Sequence, residues 1–146
     1  MVNNFAFHPF CCIFVMAKHL HMARHNDMGK WGENVAADYL RRNGYVIRER
    51  DWRSGKRDID IIAVTPDGIT VVFVEVKTRL PDSVISPEEA VDKAKIRNLC
   101  VAADNYVKMY EVDEELRFDI ITVTGTQGGE PHIEHMEDAF NPLLII

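Results

Sequence analysis

The chain has 146 residues, of which 47% are apolar and 27% are charged, enough for one hydrophobic core and one domain. The formal net charge of −6 argues against a non-specific DNA coat protein, which would be basic. Any nucleic-acid binding must therefore depend on a local basic patch and on metal. The three cysteines show no spaced pairs. This pattern argues against a disulfide framework and indicates a reducing, cytoplasmic compartment.

The amino-terminal end differs in character from the rest of the chain. The apolar run over residues 5–17 is too short to cross a membrane, and it lacks the basic flank of a secretory signal. Three later methionines could each begin the chain. We therefore predict that residues 1–21 are a disordered extension or a mis-assigned start, that residues 22–146 form a single domain, and that no membrane is involved.

The first predicted helix runs from about residue 28 to 43, with Asn26 and Asp27 as its cap and Gly44 as its end. Its apolar positions form one stripe. Glu33 falls on the edge of that stripe. It is either a first-turn glutamate favoured by the helix dipole or a functional carboxylate directed toward the sheet.

A run of β-branched residues over 69–79 is predicted to be the central strand. Because side chains alternate along a strand, three valines form one face, while Phe73, Glu75 and Lys77 lie on the other. Burying a charge costs several kcal/mol unless the charge is paired or bound to something. The second face is therefore a solvated face, an edge salt bridge or a functional site.

The preceding run, 57–64, is predicted to pair with the central strand as an antiparallel hairpin through a Pro-Asp-Gly turn. The expected pairing sets Asp60 opposite Phe73, which makes Asp60 and Glu75 diagonal neighbours about 5–8 Å apart at their β-carbons. Asp58 lies on the same face. Two carboxylates this close repel unless a cation lies between them, and oxygen ligands with open positions suit Mg²⁺ or Mn²⁺. The lysine after Glu75 could then hold a phosphate oxygen or a water.

Basic residues concentrate beside this hairpin, around the Ser54-Gly55 turn. The cluster consists of Arg50, Arg53, Lys56 and Arg57. It is either a solvated loop or a clamp on a phosphate backbone. Arg79 follows the central strand, and Lys95 lies in the next helix, where its ammonium could reach a phosphate or water.

The remaining elements complete the fold prediction. A long helix begins with Ser86 as its cap, a strand follows over residues 116–123, and a short edge strand follows over 131–136. The fold class is therefore mixed α/β, in the order αβββαβ, with a four- to five-stranded mixed sheet flanked by helices. No Cys or His partners recur at zinc spacing, so we interpret the histidines as surface residues.

Several motifs resemble the YraN family of bacterial proteins in the order in which that family has them. They are Gly29-Lys-Trp-Gly-Glu-Asn-Val-Ala-Ala-Asp-Tyr-Leu40, Asp58-Ile-Asp-Ile-Ile-Ala63, Val72-Val-Phe-Val-Glu-Val-Lys-Thr-Arg79, Lys95, Arg117-Phe-Asp119 and the segment 133–140. The YraN family is in turn similar to Holliday-junction resolvases and restriction endonucleases, the PD-(D/E)xK nuclease superfamily.

This resemblance implies a restriction-endonuclease-like fold and a Mg²⁺-dependent endonuclease acting on DNA, including branched intermediates. It implies that Glu33 is the helix glutamate, Asp60 the metal aspartate, and Glu75 and Lys77 the Glu-x-Lys pair. The family usually has Gly-Glu where this chain has Arg57-Asp58, which leaves the role of that carboxylate open. Resolvases act as dimers on a two-fold symmetric junction, so the resemblance leaves room for a homodimer.

Two other classes of function stay open on the sequence. One is a nucleic-acid-binding module that has kept the fold and lost the activity, which the acidic net charge favours. The other is a structural protein whose acidic face meets a basic partner.

Overall fold

The computed structural model describes the backbone of residues 9–83 and 93–142, and side chains from residue 26 onward within those ranges. This part of the chain forms two helices and five strands. They are α1 (Pro9–Arg42), β1 (Val46–Ser54), β2 (Arg57–Val64), β3 (Thr70–Arg79), α2 (Lys93–Tyr110), β4 (Glu115–Thr124) and β5 (His132–Met136).

The strands form one mixed sheet in the order β1-β2-β3-β4-β5. The first three are an antiparallel meander. The chain then passes through α2, and β4 returns parallel to β3, while β5 pairs antiparallel with β4 at the edge. The predicted fold class, a mixed sheet flanked by helices with a short edge strand, is confirmed.

Each face of the sheet packs against one helix. On the α1 side, Ala36 and Leu40 pack with the valines of β3. On the α2 side, Tyr106 packs edge-on against Trp52 and Phe73, with ring centroids 5.2 and 5.9 Å apart. The predicted alternation along β3 is therefore confirmed. Fully burying side chains of this size contributes about 1.5–3 kcal/mol each, so β3, covered on both faces, is the centre of the core.

The end of α1 is as predicted, but its start is not. Gly44 has a φ of +85°, its N–H donates to Arg41 O, and Tyr45 N–H donates to Leu40 O, which is a Schellman motif. The predicted start at residue 28 is wrong, since α1 begins at Pro9. Proline suits the first helical position, and no glycine or proline lies between it and residue 29. Asn and Asp inside a helix cost less than about 0.7 kcal/mol each.

The register of the β2–β3 hairpin differs from the predicted one by two residues, since Ile62 rather than Asp60 is opposite Phe73. The reason lies in the turn. Asp67 Oδ1 accepts hydrogen bonds from the Thr65 hydroxyl at 2.6 Å and from Ile69 N–H at 3.0 Å. Because of these hydrogen bonds, the centre of the loop lies one residue later in the chain than predicted. A two-residue shift preserves the alternation of side chains, so Ile62 and Val64 lie on the face of Phe73 as predicted. Ile59 also packs on that face, whereas the prediction placed it with Ile61 on the other, because the pairing of β2 with β3 ends at Ile61.

A close approach of α1 to β3 sets the distance between the helix and the site. A β-carbon added at Gly32 would lie 1.9 Å from Thr78 Oγ1 and 3.0 Å from Thr78 Cβ. We therefore expect Gly32→Ala to destabilise the protein by about 1–3 kcal/mol, seen as a lower midpoint in urea unfolding. Gly29→Ala is the control, because nothing lies within 4 Å of a β-carbon there. Rescue by Thr78→Ala would identify the contact. Equal stability of the two glycine variants would contradict it.

Two predictions fall wholly or partly on parts of the chain outside the described residues. The predicted start of the second helix at Ser86 lies in the gap between residues 83 and 93. Of the extension over residues 1–21, residues 1–8 lie outside the described residues, while the backbone of residues 9–21 belongs to α1. That this segment is an extension or a mis-assigned start stays a prediction. None of the helices in the described part of the chain combines the length and apolar character that a membrane crossing requires.

Candidate functional site

The site begins at Asp60, where the sheet is interrupted on both sides. Pairing between β2 and β3 ends at Ile61 and Val74, and the Asp60 carboxylate then accepts the Val76 N–H at 2.8 Å. On the other side, Asp51 of β1 has a φ of +47°, a conformation uncommon for a residue inside a strand. The Asp60 carboxylate thus takes the place of a backbone carbonyl as the acceptor of the Val76 N–H. Strands β2 and β3 separate around this carboxylate, and Asp60 is only 9% exposed.

Glu75 is the second buried carboxylate, 2% exposed, in the middle of β3. Two ammonium groups contact its Oε1, Lys77 Nζ at 3.0 Å and Lys95 Nζ at 2.9 Å. These contacts are ion pairs at hydrogen-bond distance. Partial burial alone would lower the pKa of Lys95, but the charge of Glu75 and its hydrogen bond to Lys95 outweigh this effect and raise the pKa. Carboxylate oxygens are also the ligands that a divalent cation such as Mg²⁺ prefers.

Asp60 and Glu75 interact strongly. Burial, followed by the charge of Glu75, raises the pKa of Asp60 to about 8, and the Val76 hydrogen bond and Lys95 only partly oppose this effect. Two neighbouring carboxylates in a low-dielectric site cannot both ionise cheaply. A divalent cation between them would remove that cost. A buried carboxyl group with a pKa raised in this way is typical of functional sites.

Glu33 approaches the pair from α1. Partial burial, followed by the nearby carboxylates Asp51, Asp58 and Glu75, raises the pKa of Glu33, and Glu33 in turn raises the pKa of Asp60. The predicted helix carboxylate is therefore within electrostatic range of the site. Asp51 was not among the predicted site residues. The signal that could have found it is its position opposite Asp60 in the strand pairing.

The residues fit a metal that keeps most of its own water. Among the side chains of the described residues, no group of three or more His, Cys, Asp or Glu is arranged to hold an ion. Asp60 and Glu75 thus offer two carboxylates, not a closed cage. Mg²⁺ is commonly held by one or two carboxylates together with waters and substrate phosphates, so this donor set suits Mg²⁺ or Mn²⁺.

The basic residues predicted to bind nucleic acid divide into two groups. Arg53, Lys56 and Arg57 are exposed at the β1–β2 turn, where Arg53 pairs with Asp51 at 3.2 Å. Arg57 Nε donates to Asn98 Oδ1 of α2 at 3.3 Å, so this turn lies against the same helix that carries Lys95.

Two other predicted basic residues lie away from this turn. Lys95, predicted to reach phosphate or water, instead contacts Glu75 inside the site. Arg79 is half-buried at the end of β3. Asp58, predicted to lie opposite Glu75, is exposed and has Arg53 of β1 as its strand partner, because the pairing of β2 with β3 ends at Ile61. Its charge still acts on Glu33 and Lys95.

A second buried polar network lies on the α1 side of the sheet. Asp119, with no exposed surface, accepts Arg117 Nε at 2.9 Å and Nη2 at 2.8 Å, and its Oδ2 lies 2.7 Å from His135 Nε2. Burial alone would raise the pKa of Asp119, but the hydrogen bonds from His135 and Arg117 outweigh it and lower the pKa. The interpretation of His135 as a surface residue is wrong, since its side chain is 8% exposed.

Comparisons with known proteins agree on one family. Residues 32–123 match the model described as "Uncharacterised protein family UPF0102". The chain is 48% identical to a UPF0102 protein of Bacteroides fragilis over 123 residues, 84% of this chain and 99% of that protein. It is 46% identical to one of Porphyromonas gingivalis over 125 residues, 85% of this chain and 90% of that protein.

Among solved structures, a similarity is found to one titled "The structure of Pyrococcus Furiosus SfsA in complex with Ca2+". It has 17% sequence identity, a TM-score of 0.34, and coverage of 77% of this chain and 63% of that chain. A TM-score this low does not establish a common fold. On the family match and the extent of sequence identity, the chain belongs to the UPF0102 family, the group that the YraN-like motifs indicated.

Proposed function

We propose that this protein is a Mg²⁺-dependent phosphodiesterase that cleaves DNA, with Asp60, Glu75 and Lys77 as its central residues. One observation supports this proposal above the others. Two buried carboxylates and two lysines converge at a point where β2 and β3 separate. A purely structural ion pair would not need a second carboxylate whose own charge is disfavoured by burial. The resemblance to PD-(D/E)xK nucleases favours the same chemistry.

Asp60 and Glu75 would hold the metal. Mg²⁺ bound there would lower the pKa of a water and neutralise charge on the scissile phosphate. Glu33, at the margin of the site, would orient a water of the metal's hydration shell, because its carboxylate is close enough to affect Asp60.

Lys77 is placed to act on the reacting group. Its side chain is 20% exposed and lies on the same strand face as Glu75. An ammonium at this position can orient an attacking water and stabilise the negative charge that develops on the phosphate in the transition state. The ion pair of Lys77 with Glu75 also fixes the orientation of that carboxylate. The residue that binds the metal and the residue that orients the water therefore lie two positions apart on β3.

The substrate is expected to reach the site over the β1–β2 turn. Its exposed Arg53, Lys56 and Arg57 are the basic residues nearest to Asp58 and Asp60 in the chain, and Arg57 is tied to α2. A net charge of −6 disfavours binding to DNA elsewhere on the surface. We therefore expect weak, salt-sensitive binding localised to this turn, and a preference for branched or flapped DNA whose strands can enter the site.

The test is a cleavage panel of branched, flapped, single-stranded and duplex DNA with Mg²⁺ or Mn²⁺. Lys77→Met keeps the aliphatic stem and removes the ammonium, so we expect cleavage to fall by about 100- to 1,000-fold. Lys108→Met is the matched control, because Lys108 lies at the far end of α2, 74% exposed, and it should keep wild-type activity. The catalytic proposal fails if wild type cuts no substrate faster than Lys77→Met.

A nucleic-acid-binding module without activity is the second candidate. It is favoured by the fact that Lys77 and Lys95 already balance Glu75 without any metal. This candidate predicts that wild type and Lys77→Met bind DNA but do not cut it, and that calorimetric titration with Mg²⁺ gives no binding heat. Binding of Mg²⁺ that is lost in Asp60→Asn would instead favour the phosphodiesterase.

A further inference from the structure

Lys95 is one of two lysines that contact Oε1 of Glu75. Two ammonium groups from different elements contact the same oxygen: Lys77 from β3 at 3.0 Å and Lys95 from α2 at 2.9 Å. One cation is enough to neutralise one carboxylate. The second ammonium group, that of Lys95, also interacts electrostatically with Asp60. With Asp60 protonated, the two lysines thus place more positive charge at the site than the carboxylate of Glu75 needs.

A divalent cation cannot join this arrangement unchanged. A bound Mg²⁺ lies about 2.0–2.1 Å from its oxygen ligands. An ammonium nitrogen 2.9 Å from the same oxygen would then lie within a few ångströms of a doubly charged ion, where like charges repel strongly in a buried site. Binding of the metal at Oε1 therefore requires at least one of the two lysines to withdraw.

Lys95 is the lysine that can withdraw. Its side chain is 48% exposed, against 20% for Lys77, and it lies in the first described turn of α2. A lysine ammonium on its flexible four-carbon stem can move several ångströms without moving the backbone. Asn98, one turn further along the same helix face, is the partner of Arg57. A Lys95 ammonium that leaves Glu75 is therefore one helical turn from the side chain that holds Arg57, beside the loop where the substrate phosphates are expected.

We infer that the ammonium group of Lys95 is the counterion of Glu75 in the free protein, that it occupies the position of the metal, and that a divalent cation displaces it on binding. The inference rests on the proposed function, since it concerns the same site. Displacement transfers the ammonium from Glu75 to the approach of the substrate. Metal binding therefore prepares the site for a phosphodiester, and Lys95 is a positioning residue that competes with the metal in the free protein.

The test is calorimetric titration of the full chain with Mg²⁺ in the absence of DNA. Lys95→Gln removes the competing charge, so we expect Mg²⁺ to bind about tenfold more tightly than to wild type. The control is Lys93→Gln, which makes the same change at an exposed position two residues earlier and should leave the affinity unchanged. Lys95→Met repeats the test with an apolar stem and guards against a local effect of glutamine.

Thermal unfolding supplies a readout that does not involve activity. In chelator, Lys95→Gln should lower the Tm, because Glu75 loses one counterion, and saturating Mg²⁺ should remove most of that difference. Equal or weaker Mg²⁺ binding by both Lys95 variants, with wild type binding normally, overturns the counterion role and leaves the proposed function intact. No Mg²⁺ binding by wild type or by either variant overturns the proposed function as well.

Discussion

Asp60→Asn is expected to stabilise the metal-free protein while abolishing cleavage. The carboxyl has an ordinary pKa of 3.8 and a pKa of about 8 in the folded protein. Between these values the folded state holds a proton that the unfolded state has lost, so the free energy of unfolding falls as the pH rises. Asparagine can still accept the Val76 N–H but never carries the buried charge. By pH 8 the variant should gain about 5 kcal/mol, or roughly 10–20 °C in Tm.

The dependence on pH is what identifies the cause. The difference in Tm between Asp60→Asn and wild type should be small near pH 4 and should widen steadily up to pH 8, measured in chelator. Asp58→Asn is the matched control, because it makes the same chemical change at an exposed position two residues away. A destabilised Asp60→Asn, or a difference that does not change with pH, would show that Asp60 is not held neutral by its surroundings.

The same variant should lose the metal site. Mg²⁺ binding requires the ionised carboxylate, so wild-type affinity should rise with pH up to about 8, as the proton on Asp60 is released. Asp60→Asn should show no such rise, and its cleavage rate should fall by about 1,000-fold or more. A protein that is more stable yet inactive would show that the buried carboxylate is retained for function rather than for folding.

Asp119→Ala is expected to have the opposite effect on stability. Asp119 accepts hydrogen bonds from Arg117 and from the Asp138 N–H, and it contacts His135. Its removal leaves a mostly buried guanidinium, 20% exposed, without its carboxylate. Removing one partner of a buried charge pair costs about 3–5 kcal/mol, so urea unfolding should show a much lower midpoint at neutral pH.

The control for this prediction uses the same arginine. Glu137 also pairs with Arg117, at 3.8 Å, but its side chain is 59% exposed, and such pairs contribute less than about 1 kcal/mol. Glu137→Gln should therefore be close to wild type. If Asp119→Ala unfolds at nearly the same urea concentration as Glu137→Gln, the network contributes little to the stability of the β4–β5 edge.

The elements with strong local signals were predictable. The β-branched run of β3 and the glycine that ends α1 each depend on preferences within a few residues, and both agree with the structure. The start of α1 was not predictable, because Asn26 and Asp27 are good caps that can also lie inside a helix at small cost. The register of the β2–β3 hairpin depended on which hydrogen bonds the Asp67 carboxylate accepts in the turn.

The buried polar residues show where sequence patterns stop being sufficient. Glu75 and Lys77 were recognisable because two charges interrupt an apolar strand. Arg117 and Asp119 show the same alternation in β4, but their partner His135 comes from the edge strand. The spacing of the histidines along the chain gave no indication of that pairing.

The sequence by itself determined the order of helices and strands and the shared face of Glu75 and Lys77 on β3. Both follow from local propensity and from the alternation of side chains along a strand. Only the tertiary structure decided that Lys95 contacts Glu75 and that the strands separate at Asp60. These contacts join residues that are 16 to 20 positions apart in the chain, so they form only when α2 packs on the sheet and the charges are withdrawn from water.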